Sequence, residues 1–401
     1  MLNSGKILRP LVAAATMTAW VGMTPAQARA QDAPAPEPVV KLSASYTADV
    51  IGVVDGGAAR GARALDNLDV TLDIDLTRAI GWRGASFHAD VLNNFGGNPN
   101  DLAGTLQGID NIEVTNQRLK LYEAWVEQSL GGGVTLRAGL YDLNSEFYVS
   151  DPAGLLVNPI FGIGSELSST GPNGPSIFPS TALAARLRVE RGRGYAQAAV
   201  INATAGTLCD DDGIDVSARN GVLVIAEAGI TAPLRLGIGG WRYTKRQPGV
   251  IPPGVTPVEE RFAAQGAYVL ASVDVAGSAG DVAHTAVFAR AGVSDGRTTP
   301  FAGGWQAGVL IERLFAARPA SMLSLGAGSG ALSRPYRDGA PADAPPLAGA
   351  ETLFELTYSD ELLDGLSIQP DVQYILHPGA DRTVKDAVVL ALRFSYSWPA
   401  D

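Results

Sequence analysis

The amino-acid sequence predicts an all-β chain, a transmembrane antiparallel β-barrel of about sixteen strands with one long loop folded inward. Three observations predict it. Apolar and polar residues alternate with period two along many runs of roughly nine to twelve residues, the pattern of strands with one lipid face and one wet face. Tight turns alternate with long polar connections, as they do between the two ends of an outer-membrane barrel. Forty-seven glycines punctuate these runs, and no stretch of the mature chain carries a convincing helical period.

The chain opens with a segment set apart from the fold. Lys6 and Arg9 precede the short apolar stretch Leu11 to Met23, and Ala26-Gln27-Ala28 and Ala28-Arg29-Ala30 both fit a small-x-small cleavage site. Residues 1–30 therefore read as a secretory signal peptide, too short in its apolar part to span a bilayer comfortably. Residues 31–40, rich in Pro and Ala, read as a disordered leader. The barrel domain is expected over 41–398. Without Lys6, Arg9 and Arg29 the 30 basic residues fall to 27 against 41 acids, a net charge of about −14. So acidic a chain lacks the basic surface that a nucleic-acid backbone needs. Cys209 has no intrachain partner, so there is no disulfide framework. The neighbouring Asp210-Asp-Asp-Gly213 lacks EF-hand spacing and reads as a solvated loop tip.

The first strand is expected at 42–50, with Leu42, Ala44, Tyr46, Ala48 and Val50 on one face. At 68–76 the apolar set Leu68, Val70, Leu72, Ile74 and Leu76 opposes Asp69, Thr71, Asp73 and Asp75. A third strand, 85–91, ends in Asn93-Asn-Phe-Gly-Gly97. Runs at 118–130 and 134–141 flank Gly131-Gly-Gly133 as a hairpin. In the first of them Leu119 and Leu121 set one parity, and Tyr122, Ala124 and Val126 the other. A bulge between them is one reading, and the face of Glu123 to Glu127 stays open. The pattern then stops, and a loop rich in Gly, Pro, Ser and Asn runs over about 142–180. A loop of this length is usually functional, and inside a closed barrel it would narrow the lumen. Further strands are expected at 183–190, 195–201, 221–231, 234–243, 261–274, 282–293, 304–314, 321–331, 351–358, 366–376 and 388–398. The last places Val388, Leu390, Leu392, Phe394, Tyr396 and Trp398 on one face, its aromatics at the end where an interfacial girdle would sit. Closure follows from the bilayer, because an open edge would leave backbone groups unpaired in hydrocarbon.

Three stretches resemble the carbohydrate-selective porin family (OprB type): Leu121-Tyr-Glu-Ala-Trp-Val-Glu-Gln128 leading into Leu136-Arg-Ala-Gly-Leu-Tyr-Asp-Leu-Asn-Ser-Glu-Phe147, Pro175-Ser-Ile-Phe-Pro-Ser180, and Ile368-Gln-Pro-Asp-Val-Gln-Tyr-Ile375 with His377-Pro-Gly379. The resemblance implies a sixteen-stranded barrel for passive diffusion of mono- or disaccharides across the outer membrane of a Gram-negative bacterium. A general diffusion porin is the alternative within transport. An outer-membrane barrel enzyme or an adhesin is the alternative outside it. Contact with outer-membrane lipid is expected, and a homo-oligomer is compatible with the sequence without being required by it.

A pore needs polar groups that replace water around a solute and then release it. Arg137, Asp142, Asn144 and Glu146 lie at the junction of strand and long loop. Arg186, Arg188 and Glu190 lie on the inward parity of the next strand, and Glu312, Glu351, Glu355 and Gln373 share that parity later. These eleven are the candidate pore-lining, sugar-binding residues. Pairing across the wall, with a purely stabilising role, is the competing reading for each. Trp125 and Trp305 read as lipid-face or girdle residues rather than sugar platforms. His88, His284 and His377 show no ligand spacing, so no metal site is expected. No nucleophile turn or dinucleotide fingerprint appears, so neither catalytic residues nor a cofactor is expected, and Gly303-Gly304 reads as a turn pair.

Overall fold

Period-two alternation builds a continuous wall. The structure, a computed structural model, describes residues 38–231, 233–256, 260–341 and 343–398. The expected signal peptide, most of the expected leader and Pro399-Ala-Asp401 lie outside the described residues. The first strands are β1 (Val40–Asp55), β2 (Gly61–Asp75), β3 (Ala85–Gly96), β4 (Leu119–Gly131) and β5 (Val134–Tyr141). After the long loop come β6 (Ala182–Arg191), β7 (Gly194–Asn202), β8 (Val222–Ile230) and β9 (Leu234–Tyr243). A small hairpin of β10 (Gln247–Pro248) and β11 (Arg261–Phe262) interrupts the series. The wall resumes with β12 (Gln265–Ala276), β13 (His284–Ser294), β14 (Phe301–Glu312) and β15 (Met322–Leu332). It ends with β16 (Ala350–Leu363), β17 (Leu366–Leu376) and β18 (Ala387–Trp398).

All but the small hairpin join one closed antiparallel barrel, in which each strand pairs with its chain neighbours and β18 pairs back onto β1. Sixteen strands thus form the wall, and no ladder edge is left open. Two boundaries differ from expectation. β1 begins at Val40, inside the expected leader, because its ladder with β2 runs as far as Val40 opposite Ile74. Arg261, expected to open a wall strand, pairs with Pro248 in the small hairpin instead, and the wall strand starts at Gln265.

The connections sort by end. At one end are the short turns, among them 132–133, 192–193 and 364–365, together with Val40 and Trp398. At the other are the long segments 97–118, 142–181, 203–221, 244–264, 333–349 and 377–386. The outward face is mostly apolar: Leu42, Val50, Leu187, Ile238, Val269, Leu325, Phe354, Leu390 and Trp398 are all exposed there. Trp305 belongs to the same exposed set, so it faces outward as expected.

The register of β3 against β4 shifts at Asp90/Val91, which face Glu123 and Leu121. Tyr122 is the extra residue, a bulge that settles the open parity. Beyond it Glu123, Trp125 and Glu127 face inward, and Trp125 is therefore a lumen residue and not a lipid-face one. Stacking against His88, with ring centroids 4.8 Å apart, places it there.

Segment 142–181 lies inside the barrel. Its backbone meets inward side chains on the far wall, including Glu227 of β8, Arg290 of β13, Glu355 of β16 and Gln369 of β17. Glycine makes room for it. A Cβ on Gly326 would sit 2.6 Å from Phe161 and 2.7 Å from Leu156, and one on Gly292 would collide with the Glu166 carboxylate. Gly304, expected in a turn, lies within β14, and its Cβ position also faces Glu166. Turns and close approaches both select glycine, and only the ladder separates the two.

Gly326→Val tests this packing. The added side chain is expected to displace Phe161 and Leu156 at a cost of about 1–3 kcal/mol. Hydrogen exchange in 149–163 should accelerate while exchange in β15 stays slow. Unchanged exchange in 149–163 would contradict the packing.

Candidate functional site

A row of charged groups crosses three neighbouring strands. Glu127 on β4 stands directly opposite Arg137 on β5, which stands opposite Arg186 on β6. Two guanidinium groups side by side repel each other. Two carboxylates offset that repulsion. Arg186 donates from Nε to Glu146 Oε2 at 2.7 Å and from Nη2 to Glu146 Oε1 at 2.8 Å, a bidentate grip. Its Nη2 also donates to Glu127, and its Nη1 donates to Thr135 Oγ1 at 2.7 Å. Arg137 donates from Nε to Glu127 at 3.1 Å. Tyr141 donates its hydroxyl to Glu146 at 2.6 Å.

Trp125 orients this row. The Arg137 guanidinium lies 3.6 Å from the centroid of its ring, His88 stacks on the ring, and the indole N–H donates to Glu123 at 2.7 Å. With Arg137 and His88 both against the ring, Trp125 is not an open platform for a sugar. It holds Arg137 by a cation–π contact. One row further toward the short turns, Arg188 donates to Glu190 at 2.7 Å and to Gln197 at 2.7 Å.

The eleven candidates divide by depth. Arg137, Asp142, Asn144, Arg186, Glu351, Glu355 and Gln373 are each less than a tenth exposed. Glu146, Arg188 and Glu312 are half-buried and Glu190 is exposed. Several of the buried ones serve the loops. Glu355 accepts from the backbone N–H of Val157 and, at 3.0 Å, of Asn158. Gln373 accepts from the Asn158 side chain at 2.9 Å and donates to the Ile109 carbonyl at 2.9 Å, so it ties both long loops to one strand. Glu351 accepts from the amides of Leu106, Gln107 and Gly379. Asp142 accepts from the Tyr122 hydroxyl at 2.7 Å and caps the turn at Asn144, whose side chain donates to the carbonyls of Phe147 and Gly162. These five are therefore anchors beneath or within the loops and not open lining. Glu312 bonds His284 near the short-turn end, away from the arginine row. Inward parity identifies which residues face the lumen. It does not say which of them a loop will cover.

Sequence reasoning missed Glu127, whose face was open until the bulge was placed, and three further anchors. Arg290 donates to the carbonyls of Tyr148, Gly162 and Ile160. Glu227 accepts from the Tyr148 amide and from the hydroxyls of Tyr195 and Tyr268. Arg393 spans the closing seam. It grips Asp49 on β1 at 2.6 and 2.8 Å and reaches Asn111 at 2.7 Å in segment 97–118. The inward parity of all three was available as a signal.

Segment 97–118 carries a titratable group of its own. Burial pushes the Glu113 carboxyl up to about 7, against the opposing hydrogen bond from the Asn100 amide. Among the described residues no three metal-ligating side chains gather to hold an ion.

Comparison with known proteins places this geometry. A family model described as carbohydrate-selective porin, OprB family, matches residues 59–397. The chain is 21% identical to Pseudomonas putida OprB in its high-pH structure, with a TM-score of 0.77 covering 90% of this chain and 94% of that one. The outer-membrane channel DcaP of Acinetobacter baumannii is 11% identical, with a TM-score of 0.56 covering 90% and 97%. No curated protein sequence matches the chain.

Glu113 gives a pH test. Between about pH 4.5 and 7 the docked segment keeps a proton that the undocked segment has released. Docking of 97–118 is therefore expected to strengthen as pH falls from 8 to 5. Hydrogen exchange corrected for intrinsic rates should show less opening at pH 5, and Glu113→Gln should flatten the dependence. More opening on acidification would contradict it.

Proposed function

The chain belongs to the carbohydrate-selective porin, OprB, family, and from that premise we propose where its solute passes. It is a sugar-preferring diffusion channel of outer-membrane type, and not an enzyme. The wall closes within one chain, so a single copy suffices to form a channel. We propose that the apolar outer face meets the lipid of a Gram-negative outer membrane, with the long loops outside the cell.

The site reading rests on one observation: the loops do not cover all walls equally. Segment 142–181 is anchored mainly on β8, β13, β16 and β17 and, through Glu146 alone, on Arg186 of β6 and Gln197 of β7, and segment 97–118 on β16, β17 and the β18–β1 seam. The wall from β3 to β7 carries the row of Glu127, Arg137 and Arg186, with Arg188 and Glu190 beside it. The proposed sugar path runs between the loops and this wall. There half-buried Arg188 and the accessible edge of Arg137 offer donors, and Glu127 and Glu190 offer acceptors, to successive sugar hydroxyls, while Arg186 lies buried against Glu146. Because each charge is already paired, a neutral sugar exchanges hydrogen bonds without having to neutralise a bare ion. That suits rapid release.

Single-channel current in a planar bilayer, titrated with glucose and with a disaccharide, tests the path. Glucose is expected to block the current saturably. Arg188→Gln and Arg137→Gln should raise the half-blocking concentration by roughly fivefold, the equivalent of about one kcal/mol of hydrogen bonding. Block indifferent to both changes would remove the β3–β7 wall from the sugar path.

A further inference from the structure

We propose that the outer wall over β6 to β9 binds a phosphorylated, multiply acylated glycolipid of the outer leaflet. The clamp is a cluster of cations at the long-loop rim, set above an apolar depression on the lipid side. The two parts are independent observations that meet on one face.

The depression follows from register. Ala198, Ala226 and Gly240 form one cross-strand row, and Ala196 and Ala228 belong to the next row toward the short turns. Leu187 and Ile238 complete these rows at the two sides as walls. Small residues between large ones leave a hollow of ≈ 460 Å³. Outward parity makes it face hydrocarbon. A hollow in a lipid-facing wall is filled by acyl chain or by another protein surface, since water gains nothing there.

Arg242 lies directly above, and four more cations lie in the long-loop segments beyond it. The next row toward the long loops ends Val200, Val224, Arg242, and Arg242 pairs with Gln265, the first residue of β12. Arg242 is therefore an exposed outward guanidinium at the membrane rim, two residues above Gly240. Lys245 follows it and donates to the Arg219 carbonyl at 2.6 Å. Arg246 and Arg261 each donate to the other's carbonyl across the small hairpin. All five side chains are exposed, and among the described residues none forms an ion pair. Elsewhere on this acidic chain, at net charge −11, some exposed cations, such as Arg60 and Lys385, pair with acids, and others, such as Arg63 and Arg191, stand apart singly.

Charge complementarity selects the occupant. Guanidinium and ammonium groups that form no ion pair among the described residues suit, at the headgroup level, phosphate, which Arg grips with two donors. A second copy of this chain would have to bring acids to the same rim. A zwitterionic phospholipid would bring an ammonium group against the cations. A glycolipid bearing phosphates and several acyl chains satisfies both halves at once.

Native mass spectrometry of the full barrel in detergent tests the site, with bis-phosphorylated lipid A titrated as the probe. Phosphatidylethanolamine and inorganic phosphate serve as comparison ligands. The intact protein is expected to take up lipid A saturably, in preference to phosphatidylethanolamine, with inorganic phosphate a poor competitor. The combined change Arg242→Gln, Lys245→Gln and Arg246→Gln should weaken uptake at least tenfold. Ala226→Phe, which fills the hollow without touching charge, should weaken it severalfold. Heat-modifiable mobility checks that each variant is folded. If the Phe variant does not fold, the charge variant decides alone. Equal uptake by the intact protein and the charge variant, equal uptake of phosphatidylethanolamine, or masses at multiples of the chain in place of lipid adducts would each overturn the proposal.

Discussion

Glu355 receiving two backbone N–H groups of segment 142–181 is the kind of contact on which the rest of this structure depends. A loop laid inside a barrel loses much of the water that would satisfy its backbone, and each buried orphan costs about 1–3 kcal/mol. The wall must therefore supply partners in advance. It does so from both signs of charge. Glu355, Glu351 and Glu227 accept from loop amides, and Arg290 donates to three loop carbonyls. These anchors are spaced around the far side of the barrel, so the loop is held along its length instead of only at its ends.

That arrangement explains why the polar lumen has two populations. One consists of dry side chains engaged with loop backbone. The other is the arginine row of β4 to β6, engaged with two carboxylates, a hydroxyl and the face of Trp125. Both are ion-rich. Only the second reaches water, through Glu127 and the neighbouring Arg188 and Glu190. Burying a carboxylate without partners is costly, which is why each anchor is matched to specific amides and is not merely a charge in a cavity. The glycines of β13 to β15 belong to the same logic, because anchoring a loop against a wall needs space as well as hydrogen bonds.

Much of this was legible in the sequence, and the reason is geometric. Period two names the two faces of every strand, and a bilayer permits only closure, so sixteen alternating runs imply the wall. The inward parity of Arg137, Arg186, Glu351, Glu355 and Gln373 came from the same pattern. Two things did not. The face of Glu123 to Glu127 stayed open because one inserted residue, Tyr122, reverses parity without any signature beyond the clash of two alternations. That left Glu127 out of the site and put Trp125 on the wrong side. Depth was also invisible. Glu355 and Glu190 have the same parity and the same chemistry, and only the course of a loop distant in sequence makes one an anchor and leaves the other exposed. Gly303-Gly304 of β14 read as a turn pair because a missing side chain gives no sign of what fills its place.

The central claim is that segment 142–181 is locked inside the barrel by hydrogen bonds to the wall. Its most direct measurement is the exchange rate of the Tyr148, Val157 and Asn158 amides in the folded protein, compared with β16 and with the outer segment 203–221. The account predicts protection close to that of β16, because these amides are buried and bonded to Glu227 and Glu355. Exchange as fast as in 203–221 would mean that the segment does not stay in the lumen, and the division between anchored and uncovered walls would fall with it.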